Sequence, residues 1–470
     1  MASLEAASGR MGMDADPRDR LIEQLRSENT RLRAENTRLH ADNMQLRETV
    51  RGLQQRLEAL ERQAHRSAAP FRRDDRKKKP PEQHGRPGRK PGHPPAYRAR
   101  PDYIDETIEV PLTACPRCGG SVGGVEACEQ FIEDLPPTRP HVTRLVTYAG
   151  LCPRCGPVRS THPIQVSTAT GAAGTHLGPR ALALAAQLSK QFGVTTRTCV
   201  RILQALGGLR ITPGGLVQAL HRVADKSQGW YDELISSLRR QPAVHSDETS
   251  WWVGGPGHWL WGFTCPACTV YHVDTRRSRD VVLEMLGDHF AGVLVSDCLA
   301  SYESLPYTMQ KCYAHHLKAI TGARDARPKD RRLFFDELVG LLKSAIAFGR
   351  LRGDLPPEET VRIRAHLDQR ADALILPVRG DPEEERVAAR LRKRRHWLFT
   401  FLDHPGVEPT NNRAERALRP AVIARKLSCG NKTEQGKRTW EILASLTATC
   451  QQTGRNFVQA VRPYLLLQPA

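Results

Sequence analysis

The sequence predicts a multidomain chain: an N-terminal α-helical coiled coil, a small ribbon-like metal-knuckle module, a helical region, and an α/β domain carrying a helical insertion. Three observations predict it. Leucine recurs every seven residues near the N-terminus, two Cys-x-x-Cys knuckles follow, and the C-terminal half alternates short apolar strands with helices. At 470 residues the chain is longer than one compact domain. Hydrophobic residues make up 39%, enough for a core, while 33 prolines and 36 glycines assign part of the length to linkers.

Charge narrows the partners. Lys+Arg number 70 against 51 Asp+Glu, a net charge of +19. A surplus of that size favours a polyanion through phosphate neutralisation and counterion release. Simple solubility is the plainer explanation, but the charge is concentrated in patches, which favours nucleic acid. No stretch reaches the roughly 18 apolar residues of a membrane span. The N-terminal residues MASLEAASGRMGMDADPRDR lack the apolar core of a signal peptide. The expected location is therefore the cytoplasm, on the nucleoid, where thiols stay reduced. The 12 cysteines then read as metal ligands or buried thiols rather than disulfides.

Residues 18–64 read as a coiled coil. Leu25, Leu32, Leu39, Leu46, Leu53 and Leu60 fill one seam position, and Ile22, Asn29, Asn36, Asn43, Val50 and Leu57 fill the other. Leucine at d with asparagine at several a positions describes a parallel homodimer whose buried amides fix register. A lone surface helix would leave six leucines in water.

Residues 65–104 form a basic linker. Between 71 and 100 there are eleven Lys/Arg, three Asp/Glu and six prolines, a composition that cannot fold alone. Lys77, Lys78, Lys79, Arg89 and Lys90 are its candidate DNA-contacting residues. An ordinary solvated linker is the alternative.

Residues 105–165 carry Cys115-Pro-Arg-Cys118 and Cys152-Pro-Arg-Cys155, separated by 33 residues. Two such turns offer four thiolates to one tetrahedral structural Zn²⁺. TIEVPLTA, just before the first knuckle, and VTRLVTYAGL, between the two, read as the short strands of a zinc ribbon. Cys128 reads as a buried thiol. Cys265-Pro-Ala-Cys268 stands alone in a strand-rich stretch and reads as a hairpin turn, with metal binding the lesser alternative.

Residues 175–240 are helical. A break at Gly193, with Thr195 and Thr196 as N-caps, fits a helix-turn-helix that binds DNA. A small bundle bracing the next domain fits equally well.

Residues 241–465 form the last domain. QPAVHSDETSWWV is a strand carrying Asp247 and Glu248. GHWLWGFTC and TVYHVDT are its hairpin partners, turning at Gly254–Gly257. RDVVLEMLGDHF is a helix, and AGVLVSDCLASY is a buried strand ending in Asp297. Three strands, a helix and a fourth strand open a ribonuclease-H-like fold, in which Asp247 and Asp297 lie side by side. Helical runs at about 325–405 form an insertion that either positions a ligand or braces the fold. Beyond them, Glu415 sits on a helix with Arg413, Arg416 and Arg419 around it, candidate DNA contacts. Three convergent carboxylates cannot all stay ionised without cations, and oxygen ligands suit Mg²⁺ or Mn²⁺. Two such ions would activate an oxygen nucleophile and stabilise the leaving oxygen of a phosphodiester. A chain with 51 acidic residues offers other triples, and strand-end carboxylates are often solvated caps. Glu248, next to Asp247, should point to the opposite face.

These motifs closely resemble those of the transposases of the insertion sequence sixty-six family, DDE-type enzymes of bacterial mobile elements. The resemblance covers most of the chain. His245-Ser246-Asp247-Glu248-Thr249 matches the block of the first acid, and Val295-Ser296-Asp297 matches that of the second. Cys312-Tyr313-Ala314-His315 matches a C-x-A-H motif. Asn411 through Pro420 matches N-N-x-A-E-R-x-L-R-P, with Glu415 as the third acid. GRKPGHPP at 88–95 and the paired knuckles match too. Three features depart: the residues after Asp297 lack a common glycine, Tyr313 replaces a common tryptophan, and the Cys265/Cys268 pair is unusual. None removes a metal ligand.

The resemblance implies cleavage and strand transfer at terminal inverted repeats and at target double-stranded DNA, with Asp247, Asp297 and Glu415 catalytic. It also implies accessory proteins of the same element. His315, close after the second acid, is a candidate supporting residue; a core or DNA-facing histidine is the plainer reading. A non-enzymatic basic-zipper regulator is the rival from another class. Its basic helix would precede the zipper, whereas here a proline-rich basic tract follows it. A nuclease that cuts without joining is not separable by sequence pattern.

Overall fold

The computed structural model describes residues 25–45, 48, 98–135, 138–167, 169 and 174–466. The chain divides into two units, residues 1–89 and 90–470. In the first, residues 25–45 form one helix, α1. Leu25, Leu32 and Leu39 are each about half exposed among the described residues (56%, 52% and 56%). Leu46, Leu53 and Leu60, and all of Lys77, Lys78, Lys79, Arg89 and Lys90, lie outside the described residues.

In the second unit, the described residues from 98 to 148 form no helix or named strand, and a short hairpin follows, β1 (Ala149–Cys152) and β2 (Gly156–Arg159), paired antiparallel around the second knuckle. TIEVPLTA, expected as a strand, forms none. Pro111 removes a backbone donor from its middle. Ile108 and Val110 are 74% and 86% exposed, so no core rewards pairing there.

Four helices follow: α2 (Pro179–Lys190), α3 (Thr196–Gly207), α4 (Pro213–Lys226) and α5 (Gln228–Arg239). The break between α2 and α3 falls at Gly193, whose φ of +66° suits glycine. Thr195 takes the N-cap position of α3. These helices do not own a separate core. Their buried side chains form one cluster with Val244, Trp261, Phe263 and Leu294 of the sheet. His221 hydrogen-bonds Thr439, and Trp230 stacks on Tyr464 at 5.3 Å.

The sheet has five strands: β3 (Ala243–Trp251), β4 (His258–Thr264), β5 (Thr269–Asp274), β6 (Val293–Ser296) and β7 (Thr308–Lys311). Their order is β5-β4-β3-β6-β7. The first three form an antiparallel meander, whereas β6 and β7 run parallel to β3. α6 (Arg279–Leu286) crosses from β5 to β6, and α7 (Ala300–Glu303) lies between β6 and β7. The chain then forms α8 (Tyr313–Asp325), α9 (Leu333–Leu351), α10 (Pro357–Ile375), α11 (Pro382–Arg392), α12 (Thr400–Asp403), α13 (Asn412–Ser428), α14 (Glu434–Gln452) and α15 (Phe457–Leu465). The helices α8 to α12 build a second core against Ala243, Val293 and Val295.

The outer edge of the sheet is closed by side chains rather than by another strand. Glu441, Ser445 and Thr449 of α14 accept from the backbone N–H groups of Val273, Tyr271 and Thr269 of β5. Four helical residues rise about 6 Å, and two strand residues advance nearly the same distance, so the two repeats stay in step. An otherwise open edge is thereby satisfied and shielded.

Candidate active site

Alternation along β3 sorts its side chains between two faces. Ala243, on the face of Asp247, belongs to the core under α8 to α12, whereas Val244, on the face of Glu248, belongs to the other core. The parallel register pairs His245 with Val295; carried two residues on, it sets Asp247 alongside Asp297, one residue past β6. Asp297 is fixed at its bend by accepting from the Leu299 N–H at 2.9 Å.

Glu415 arrives on the first turn of α13. Two features bring that helix to the strand. Directly across from Asp247 stands Gly262 of β4, where a Cβ would sit 2.9 Å from a methyl carbon of Leu418. Leu418 is buried three residues after Glu415, roughly one helical turn. Buried Asn411, at the N-terminal end of α13, donates from Nδ2 to the Ser246 carbonyl at 2.8 Å, and its Oδ1 lies 3.3 Å from His245 Nδ1. Its backbone N–H meets the sulfur of Cys312 at 3.1 Å. One side chain and its amide thus tie β3, the start of α8 and the start of α13 together.

The electrostatics follow. Burial, then the charges of Glu248 and Asp297, and further that of Glu415, push the Asp247 carboxyl up to about 7, against a single hydrogen bond from the Glu248 N–H. Among the described residues, none of Asp247, Asp297 and Glu415 is in an ion pair with lysine, arginine or histidine; Arg413, two residues before Glu415, is paired with Glu408 at 3.0 Å. Glu248 is on the far face. It is held by Arg277 at 2.8 Å and by the Tyr302 hydroxyl at 2.9 Å. Burial pushes His245 down to about 4, so it is neutral.

A second group adjoins the third acid. Ligand atoms of Cys312, His315 and Glu415 lie within 4.8 Å of one another. Behind it, Lys311 is buried with its ammonium 3.0 Å from Ser296 Oγ, and burial lowers it to about 8. Sequence reading missed Asn411, Gly262 and Cys312 as site builders. The paired asparagines before the AER run and the Cys-x-x-His spacing were the available signals.

The model of the Transposase IS66 family matches residues 174–439, which include all three acids and everything that positions them. The chain belongs to that family. It is also 25% identical over 407 residues to the uncharacterized protein y4qI of Sinorhizobium fredii, covering 78% of this chain and 73% of that protein. A second relative, the uncharacterized protein y4jD of the same organism, is 25% identical over 404 residues, covering 77% and 75%.

In this IS66 transposase-family chain the remaining expected residues distribute as follows. Arg416 and Arg419 are exposed on α13, whereas Arg413 is half-buried in its pair with Glu408. In both knuckles the turn N–H groups and the second thiol lower the first thiol, Cys115 or Cys152. Each knuckle is followed by a glycine at positive φ, Gly119 at +75° and Gly156 at +77°. Each half therefore suits a metal-bound thiolate. The four sulfurs of Cys115, Cys118, Cys152 and Cys155 are not gathered into one group among the described residues. Cys128, expected buried, is exposed, because no core forms around it. Cys265 and Cys268 close the β4–β5 hairpin, where both are buried and their sulfurs lie 3.5 Å apart. No described helix is long and apolar enough to cross a membrane.

Proposed function

We propose that this transposase-family chain is of the DDE type, with Asp247, Asp297 and Glu415 holding Mg²⁺ or Mn²⁺ for cleavage and strand transfer at the terminal inverted repeats of its element. The observation that carries this reading is the Asp247 carboxyl, pushed up by burial and by the charges of Glu248, Asp297 and Glu415, and without a basic partner among the described residues. Such a cluster is stable as anions only beside added cations. Oxygen-seeking divalent ions bound there would supply that charge and polarise the attacking and leaving oxygens of a phosphodiester.

The residues themselves have separable tasks. The three acids offer oxygens; Asn411 and Gly262 set the approach of the helix bearing Glu415 to the strand bearing Asp247. Exposed Arg416 and Arg419 lie on that same helix, suited to a DNA phosphate. The strand order, with three antiparallel strands followed by two parallel ones, supports the ribonuclease-H-like assignment. The leucine seam of α1 supports a parallel homodimer, with one chain for each element end. The knuckles support a structural Zn²⁺ once the two halves meet. The basic linker would add phosphate contacts, and accessory proteins of the element would assist in the cytoplasm.

The test is joining of labelled end DNA to target DNA by purified protein in Mg²⁺. Asp247→Asn, Asp297→Asn and Glu415→Gln should each abolish joined product while end binding persists. Substantial joining by any one removes that residue from the metal site. Cutting without joining by the unaltered protein would favour a nuclease instead.

A further inference from the structure

We propose that Cys312, His315 and Glu415 form a binding site for a borderline-soft divalent cation of the Zn²⁺ class, distinct from the two cysteine knuckles. The site goes beyond the DNA-joining reading and stands without it.

Local structure accounts for the placement. Cys312 is the N-cap of α8 and His315 lies three residues on, so the Cys-x-x-His spacing sets both on one face of the first turn. Glu415 sits on the first turn of α13. The two helix starts are fastened to each other: the Tyr313 N–H donates to the Pro409 carbonyl at 2.9 Å, and the Asn411 N–H donates to the Cys312 sulfur at 3.1 Å. Both positive helix ends thus meet where a thiolate and a carboxylate are offered.

Three further observations point to an ion. The three ligand atoms all lie within 4.8 Å of one another, a spread one cation can span. The backbone N–H groups of Asn411, His315 and Ala314 face the Cys312 sulfur and partly offset the burial that pushes its thiol up, an offset that a bound cation would complete. His315 Nδ1 is buried with no hydrogen-bond partner, an arrangement that disfavours the empty state of the group.

The donor set decides the class of ion. One sulfur, one imidazole nitrogen and one carboxylate oxygen suit Zn²⁺ or Co²⁺ and are poor for Mg²⁺, which takes oxygen and water. Three protein ligands leave a fourth position open, the pattern of zinc sites that bind water or a substrate oxygen. A carboxylate has two oxygens. Glu415 can therefore serve this site with one and the Asp247 side with the other.

The experiment is the zinc content of the purified full-length protein after dialysis, by elemental analysis. Cys312→Ser, His315→Ala and Glu415→Gln should each lower it by about one ion per chain, and the double variant Cys312→Ser/His315→Ala by no more. In cobalt-loaded protein, Cys312→Ser should weaken the thiolate-to-cobalt absorption by the share of one sulfur. Equal zinc content in wild type and in folded His315→Ala overturns the site, even where Cys312→Ser fails to fold. Because the count requires no DNA reaction, it is independent of the joining result for Asp247→Asn.

Discussion

Two groups of acidic side chains flank the same sheet, and they solve the problem of gathered charge in opposite ways. His272, Asp274 and Glu284 have ligand atoms within 4.8 Å of one another. Arg276 occupies that group, gripping Asp274 with two bonds at 3.0 and 2.8 Å and reaching Glu284 at 2.8 Å. These bonds hold the Asp274 carboxyl well below its usual range. Asp247, Asp297 and Glu415 have no such residue among the described ones, and Asp247 is pushed up to about 7 instead. The first cluster is neutralised by its own sequence; on the reading proposed above, the second takes its charge from solution. A carboxylate cluster therefore signals a metal site through its missing guanidinium as much as through its acids.

Exchanging one acid from each cluster gives the largest contrast. Glu415→Gln should lower strand transfer by roughly 10³-fold or more, the scale on which removing one charge-stabilising group acts at a reacting centre. Glu284→Gln should leave it within about twofold, since that carboxylate answers only to Arg276 and touches no reacting group. A comparable loss in both would end the distinction between the clusters. Next comes the approach of α13. Gly262→Val inserts carbon where Leu418 already stands at 2.9 Å from the Cβ position. It should destabilise the protein by roughly 2–3 kcal/mol in a denaturant titration and weaken joining, through displacement of Glu415.

The third prediction concerns stability without metal. The Asp247 carboxyl lies above its ordinary value, so the folded chain holds that proton more tightly than the unfolded chain does. Stability then falls as pH rises from about 4 through 7. Asparagine does not titrate. In EDTA, Asp247→Asn should match wild type near pH 4 and exceed it by about 1–2 kcal/mol at pH 8, after allowance for partial solvent access. Added Mg²⁺ should raise the melting temperature of wild type and leave the variant unmoved. A variant less stable than wild type in EDTA at pH 8 would contradict the loaded-pocket reading.

How far the sequence revealed these features depended on the range of the interaction. The short apolar runs in AVHSD and GVLVSD, and the Gly-Gly-Pro-Gly turn, are local, and the five-stranded sheet carries those runs as strands. The Cys265-Pro-Ala-Cys268 turn was legible for the same reason. Long-range features were not. Nothing local says that Gly262 faces Leu418 across 156 positions, or that Asn411 reaches back to Ser246. The expected strand TIEVPLTA failed because alternation alone does not supply a face to bury against. Cys312 was read only as part of a motif, since Glu415 meets it and His315 through the docking of two helices.

The smallest effect comes from converting the satisfied cluster into a dependent one. Arg276→Met keeps much of the stem and removes the charge that neutralises Asp274 and Glu284. A carboxyl held below its ordinary value contributes stability that is present above the unfolded Asp value near 4 and is lost as pH falls through its own lower value. The variant should therefore melt slightly earlier than wild type at pH 7, and the gap should close in acid. His272, Asp274 and Glu284 would then face one another with no internal cation, the condition of Asp247 in the native chain. Mn²⁺ should restore more melting temperature to Arg276→Met than it adds to wild type. If it adds the same to both, the missing guanidinium is not what makes a carboxylate cluster on this sheet call for metal.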